Sequence, residues 1–198
     1  MSITKSQAAV DAWADIAQNT VREGATVDVS GNYDHILHID MALSNATAHT
    51  GTEIIVQISS STSTDEFWTN LVKFVGPTGT ANEEAIDDDP LLATSTTITI
   101  SSTTGYTTNG NWRFIKDGTI ANSELVWQNG YTTDTNITIL DGTTREHAVS
   151  TNMYSIADTY VIQVPSAATR VRVVYNNTYD ADGATVATRC RISKVTAL

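Results

Sequence analysis

One cysteine in 198 residues, Cys190, cannot close an internal disulfide, so the stiffness of this chain must come from packing. Cys190 falls on the apolar phase of its segment and reads as a small buried hydrophobe rather than a nucleophile. Positive charge is scarce as well: 11 Lys and Arg stand against 22 Asp and Glu, a net −11. A general nucleic-acid binder needs a basic footprint to displace counterions, and this balance excludes one. No apolar run approaches membrane-spanning length. The opening Met-Ser-Ile-Thr-Lys-Ser-Gln lacks the apolar core of a signal peptide, so the expectation is a soluble protein made in a cytosol. On that expectation the glycosylation patterns at Asn45, Asn136 and Asn176 are incidental. There is no Gly-x-Ser-x-Gly elbow, no glycine-rich phosphate loop and no repeat of fixed period. No enzyme, cofactor or metal is expected.

What the chain has is alternation. Polar positions are filled largely by Thr, Ser and Asn, and charge is held to 17%. Thr favours strands and Asn favours turns, so the composition suits an all-β protein rich in loops. Three successive strands are predicted in the last fifth of the chain. In the first, Tyr154, Ile156, Tyr160, Ile162 and Val164 share a face; in the second, Val171, Val173 and Tyr175; in the third, Val186, Cys190 and Ile192. Residues 176–184 supply turn chemistry between the last two, which predicts a hairpin. A second hairpin is predicted where Val27 and Val29 lead through Ser30-Gly31-Asn32 into Tyr33 to Leu43. Further strands are expected at 53–59, 67–75, 96–101, 112–115, 124–128 and 136–140. At this spacing, without helical interruption, they indicate an antiparallel β-sandwich of jelly-roll type.

Residues 1–23 differ. Ser6 to Val21 is Ala-rich, with Val10, Trp13 and Ala17 near helical spacing, and is expected as a short helix or arm ahead of a single sandwich domain at 24–198. Trp13 on such an arm would anchor a partner, or pack on its own sheet. The charge is uneven too. Residues 169–198 carry five basic side chains against two acidic ones in an otherwise acidic chain. Arg170, Arg172, Arg189 and Arg191 are therefore candidate contacts for an acidic neighbour or a second copy, unless they pair across strands with acids of the same chain.

Other constellations point to chemistry less well. Asp34, His38 and Asp40 share one strand face, with His35 on the other, an arrangement expected as a solvated face rather than a metal site. The acidic stretch Glu83–Asp89, within a long polar connection at 76–94, and the pair Asp180 and Asp182 have the oxygen ligands calcium takes but not a spaced binding loop. His147 stands alone in Thr-Thr-Arg-Glu-His. Trp112 and Trp127 alternate with Phe114 and Leu125 and are expected in the core, although with Trp68 they could instead form a sugar platform. Facing carboxylates of a glycan-cleaving enzyme are a three-dimensional matter that sequence leaves open.

The passages Asp117–Glu124, Asn136–Gly142 and Pro165 through Arg170-Val-Arg-Val-Val174 to Arg189-Cys-Arg-Ile-Ser-Lys-Val195 resemble small β-rich virion proteins of tailed bacteriophages, in particular capsid decoration (cement) proteins. The resemblance is one of texture over about residues 25–198 and carries over no functional residue. It implies a non-enzymatic sandwich that coats the capsid surface, binds the major capsid protein, reinforces its contacts and assembles as a symmetric oligomer, commonly a trimer. A tail or fibre component, or a carbohydrate-binding sandwich displayed on the virion, would share the same texture.

Overall fold

The computed structural model describes residues 3–31, 34–62, 67–178 and 183–197. Tyr33 and the pair Asp180 and Asp182 lie outside the described residues. In chain order the strands are β1 (Ile3–Ile16), β2 (Val21–Glu23), β3 (Val27–Asp28), β4 (Asp34–Leu43), β5 (Glu53–Ser59), β6 (Thr69–Val75) and β7 (Glu83–Ala85). They continue with β8 (Thr97–Thr99), β9 (Asn111–Lys116), β10 (Glu124–Thr132), β11 (Asn136–Ile139), β12 (Asn152–Val164), β13 (Arg170–Asn176) and β14 (Val186–Ala197). The helical content of the described residues is one 3-10 turn at Ile120–Asn122. The fold is therefore all-β, in two antiparallel sheets. The larger runs β1-β14-β4-β12-β9-β10-β11-β8, with β7 also on β12; the smaller runs β2-β13-β5-β6, with β3 also on β13.

The order has a simple logic once 76–151 is set aside. Eight positions remain, with β2 and β3 sharing one, and they pair first with last: β1 with β14, β2 and β3 with β13, β4 with β12, β5 with β6. Consecutive strands of this wrap often lie in different sheets, which corrects both predicted hairpins. β3 pairs with β13 in the small sheet while β4 sits in the large one. β13 likewise lies in the small sheet and β14 in the large one, so Arg170 and Arg172 do not share a basic hairpin with Arg189 and Arg191. Period-2 alternation sets the faces of a strand but says nothing about its neighbour.

Leu37, Ile39 and Met41 of β4 and Cys190 and Ile192 of β14 meet Ile54, Val56, Val171, Val173 and Tyr175 of the small sheet to form the first core. Segment 76–151 builds a second core around Ile86, Ile98, Tyr106, Ile115, Val126 and Ile137. Strand β12 joins the two, lying on β9 and β7 with its first residues and on β4 with the rest. An extra residue between Tyr154 and Ala157 shifts the register there. Tyr154 therefore faces with Phe114 and Ala157, not with Tyr160 as strict alternation predicts. The long polar connection contains β7, and its Ile86 and Leu91 are fully buried.

The N-terminal segment expected as a helix or arm is strand β1, laid along β14 with two register shifts between Ala9 and Ala14. Its apolar residues match a helical period only because these irregularities break the two-residue one. Trp13 packs on Phe114 with ring centroids 4.8 Å apart, and the Arg189 guanidinium carbon lies 4.8 Å from its ring centroid. It is 2% exposed, so it anchors the insertion onto the wrap. Lys116 completes this latch, with Nζ 2.9 Å from Asp15 and 3.1 Å from the Ser44 carbonyl oxygen.

Inside the second half, buried Arg113 ties the β9–β10 hairpin to β12. Its Nε donates to Gln128 Oε1 at 2.6 Å, Nη2 to the Thr108 carbonyl at 2.9 Å and Nη1 to the Ser155 carbonyl, and the group lies 5.2 Å over the Tyr106 ring. Replacing Arg113 with Met leaves two buried acceptors, Gln128 Oε1 and the Ser155 carbonyl, and the more open Thr108 carbonyl without this donor. The expected cost is about 2–4 kcal/mol. Urea denaturation should show it as a lowered midpoint at an unchanged slope, and Arg113→Lys should recover part of it.

Candidate functional site

The most concentrated chemistry lies on the face of the large sheet turned away from the first core. Alternation along β4 sends Leu37, Ile39 and Met41 inward and His38 and Asp40 outward, as the sequence predicts. The solvated face expected there is not what forms. Asp40 has no exposed surface, because register places Arg189 on one side of it and Thr159 on the other. Arg189 donates to Oδ2 through Nε at 2.9 Å and Nη2 at 2.6 Å, Arg191 Nη2 donates to Oδ1 at 3.2 Å, and Thr159 Oγ1 donates to Oδ1 at 2.9 Å. The arginines keep 25% and 31% of their side-chain surface exposed. Next to them His38 Nε2 pairs with Ser193 Oγ at 3.1 Å, and burial first, then the Arg191 charge, lowers its pKa.

Asp40, Arg189 and Arg191 border a cleft of about 390 Å³ whose opposite side is Trp112 and Leu125 of the folded-back insertion. Trp112 and Trp127, expected in the core, are half-buried and pack edge to face at 5.1 Å. The alternation that puts them on Phe114's face is right, but that face is open at its far end. Trp68 is also half-buried, with the Arg172 and Arg170 guanidinium carbons 4.4 and 5.1 Å from its ring centroid. These two arginines thus lie on the outside of the small sheet, where Arg172 also meets Glu23 at 2.9 Å and Gln57 at 2.8 Å. The intrachain pairing weighed for the four arginines is thus present for Arg172, Arg189 and Arg191.

His147, unremarkable in sequence, sits between two carboxylates. Its Nε2 is 2.7 Å from Glu124 Oε1 and its Nδ1 3.4 Å from Asp117 Oδ2. The imidazole is fully enclosed, so both ring nitrogens are spent within the chain and no substrate can reach them. Burial raises the Glu124 pKa, but bonds from His147 and from the Thr144 hydroxyl and amide outweigh it and hold the carboxyl below its ordinary value. Cys190 is equally closed to chemistry: burial pushes its thiol up to about 12. Among the described residues, no group of three or more His, Cys, Asp or Glu is placed to hold a metal ion. In the acidic stretch, Asp88 accepts from the Thr99 amide at 2.7 Å and its hydroxyl at 2.8 Å, and Glu84 accepts from Ser101 at 3.2 Å.

No protein-family profile matches the chain, and no curated protein does. Weak structural neighbours are viral capsid proteins. An infectious bursal disease virus structure, Gx strain, is 9% identical with a TM-score of 0.25, covering 99% of this chain and 41% of that one. VP17, a capsid protein of bacteriophage P23-77, is 8% identical with a TM-score of 0.20 over 100% of both chains. The VP2 subviral particle of infectious bursal disease virus is 6% identical with a TM-score of 0.25, covering 98% of this chain and 42% of that one. The chain thus spans about two fifths of the length of the bursal disease virus chains. Likeness at this level assigns neither family nor function.

Two outcomes follow from these ion pairs. Asp40→Asn leaves two guanidinium groups facing each other without their counter-charge, and should destabilise by about 3–5 kcal/mol in equilibrium unfolding. Arg191→Gln should cost about 1 kcal/mol, because Arg189 remains on Asp40 and Arg191 is partly solvated. The Glu124 carboxyl stabilises the fold above its ordinary value of 4.5. That contribution is lost as the pH falls through its lowered folded value. Stability measured against pH should decline in this acid window, and Glu124→Gln should flatten the decline.

Proposed function

We propose that this chain is a non-enzymatic virion structural protein, a capsid decoration (cement) protein that binds the outer surface of the major capsid protein and reinforces contacts between its copies. The observation that carries this reading is the wrap. Eight strand positions paired first with last across two four-stranded layers have the winding of a jelly roll, an architecture that recurs in viral capsid and lectin domains. This is an analogy of fold, and folds host many functions. The surface supports it in two places. Strand β1 is the rim of the large sheet, and Lys5 to Ala9 are exposed along it, an open edge suited to pairing with another chain. The outer face of the small sheet carries Arg170 and Arg172 over Trp68, beside Phe67 at 76% exposure.

In this reading Arg170 and Arg172 meet the capsid, the β1 edge serves a symmetric homo-oligomer such as a trimer, and Trp13 stays inside. Repetition over the shell multiplies modest single contacts into avidity. A tail or fibre component would use the same scaffold. A sugar-binding role on the virion is a second reading, favoured by half-buried Trp112 beside two partly exposed guanidinium groups.

Size-exclusion chromatography with light scattering, with and without purified phage heads, tests the first reading. A defined oligomer that co-migrates with heads is expected, and Arg170→Gln with Arg172→Gln should weaken that binding roughly tenfold, with circular dichroism and Tm confirming that the variant is folded. A monomer that ignores heads would refute capsid decoration. Labelling at the tail in electron micrographs would move the assignment there.

A further inference from the structure

We propose that the cleft between Trp112 and the Arg189–Arg191 pair binds a carboxylated sugar residue, its carboxylate on the two guanidinium groups and its C–H face on the indole. The proposal rests on the sugar-binding reading and is independent of attachment to a capsid.

Donor supply is the first argument. Asp40 takes Nε and Nη2 of Arg189 and Nη2 of Arg191, while both arginines keep 25% and 31% of their side-chain surface exposed and border the cleft. Glu124 borders it as well, but its Oε1 pairs with His147 and its Oε2 with Thr144, so it takes no donor from either arginine. Two guanidinium groups and two carboxylates balance there, so a ligand carboxylate is drawn by directed N–H donors and not by net charge.

The second argument is an unused donor. Arg191 Nε is buried and has no hydrogen-bond partner among the described residues. Buried donors are rarely left so without a ligand or water to meet them. The Asp40 bonds meanwhile fix where both guanidinium groups point, so a planar carboxylate meets positioned donors.

The sugar half of the ligand follows from the other walls. Trp112, braced edge-on by Trp127, offers a fixed aromatic face. The Thr144 and Thr159 hydroxyls also border the cleft, and their protons are already donated, to Glu124 at 2.6 Å and to Asp40 at 2.9 Å. Each therefore presents lone pairs, which are acceptors for a ligand hydroxyl. A cleft of this size accommodates a single sugar ring with its substituents.

Calorimetric titration of the full chain with glucuronate, N-acetylneuraminate, glucose and acetate decides the matter. At least one of the two acidic sugars should saturate, roughly tenfold or more tighter than glucose or acetate. Arg191→Gln and Trp112→Ala should each weaken that binding by a similar factor, with circular dichroism and Tm confirming that the variants are folded. Three results would overturn the proposal: no saturable binding of either acidic sugar, acetate binding as tightly as they do, or undiminished binding by folded Arg191→Gln. Head binding with no sugar binding would remove this proposal and leave capsid decoration standing.

Discussion

A carboxylate with no exposed surface at the centre of a nine-stranded sheet is the constraint around which the large sheet is arranged. Burying a lone charge is prohibitive, so Asp40 requires donors from both neighbouring strands in one register. β14 supplies Arg189 and Arg191, and β12 supplies Thr159. A slip of one residue in either strand would turn these donors to the opposite face and strand the carboxylate. The apolar residues alone define the face of each strand. The polar cluster selects a single alignment of three strands, joining Asp40 of β4 to donors 119 and 149 residues away in sequence.

The same cluster explains how two cores behave as one structure. Arg189 extends from Asp40 across the Trp13 ring, and Trp13 continues into Phe114 of the insertion. Charge at the wrap's centre is thus linked through a cation–π contact to the apolar seat of segment 76–151. Cation–π contacts strengthen when desolvated, and Trp13 is almost completely covered. Lys116 on Asp15 and the shared strand β12 flank the seat. The insertion is thus held to the wrap by contacts of three kinds, aromatic, ionic and strand pairing.

Strand positions were legible because a half-buried strand writes its period into the sequence: β4, β5, β9, β10, β12 and β13 lie where alternation puts them. Partnership was not, because Asp28 opposite Arg170 or Asp40 opposite Arg189 are long-range pairings that no local pattern encodes. β1 was misread for a local reason, since its register shifts scatter apolar residues off the strand period and towards a helical one. Tyr154 was placed on the wrong face by one bulged residue. At the site, the composition of the terminal segment flagged Arg189 and Arg191, and the face of Asp40 was read correctly. Its burial was not, because the cover comes from strands 119 and 149 residues away in sequence. His147 carried no signal, for its carboxylates are 23 and 30 residues distant.

The acidity of the chain and a cleft that offers guanidinium donors to an anion are compatible on physical grounds. At physiological ionic strength the Debye length is about 8 Å, so most of the 22 acidic side chains are screened from a ligand at Arg191. What a bound anion meets is the local set, in surroundings of lower dielectric where each guanidinium counts for more than it would in water. The distant negative charge instead acts between copies of the chain, which it repels. A repeated surface component that also held a sugar would gain from this division, since each copy adds a weak site to an array and the array supplies the affinity. In that reading the wrap places the open edge and the Trp68 face on its periphery and the Asp40 cluster at its centre.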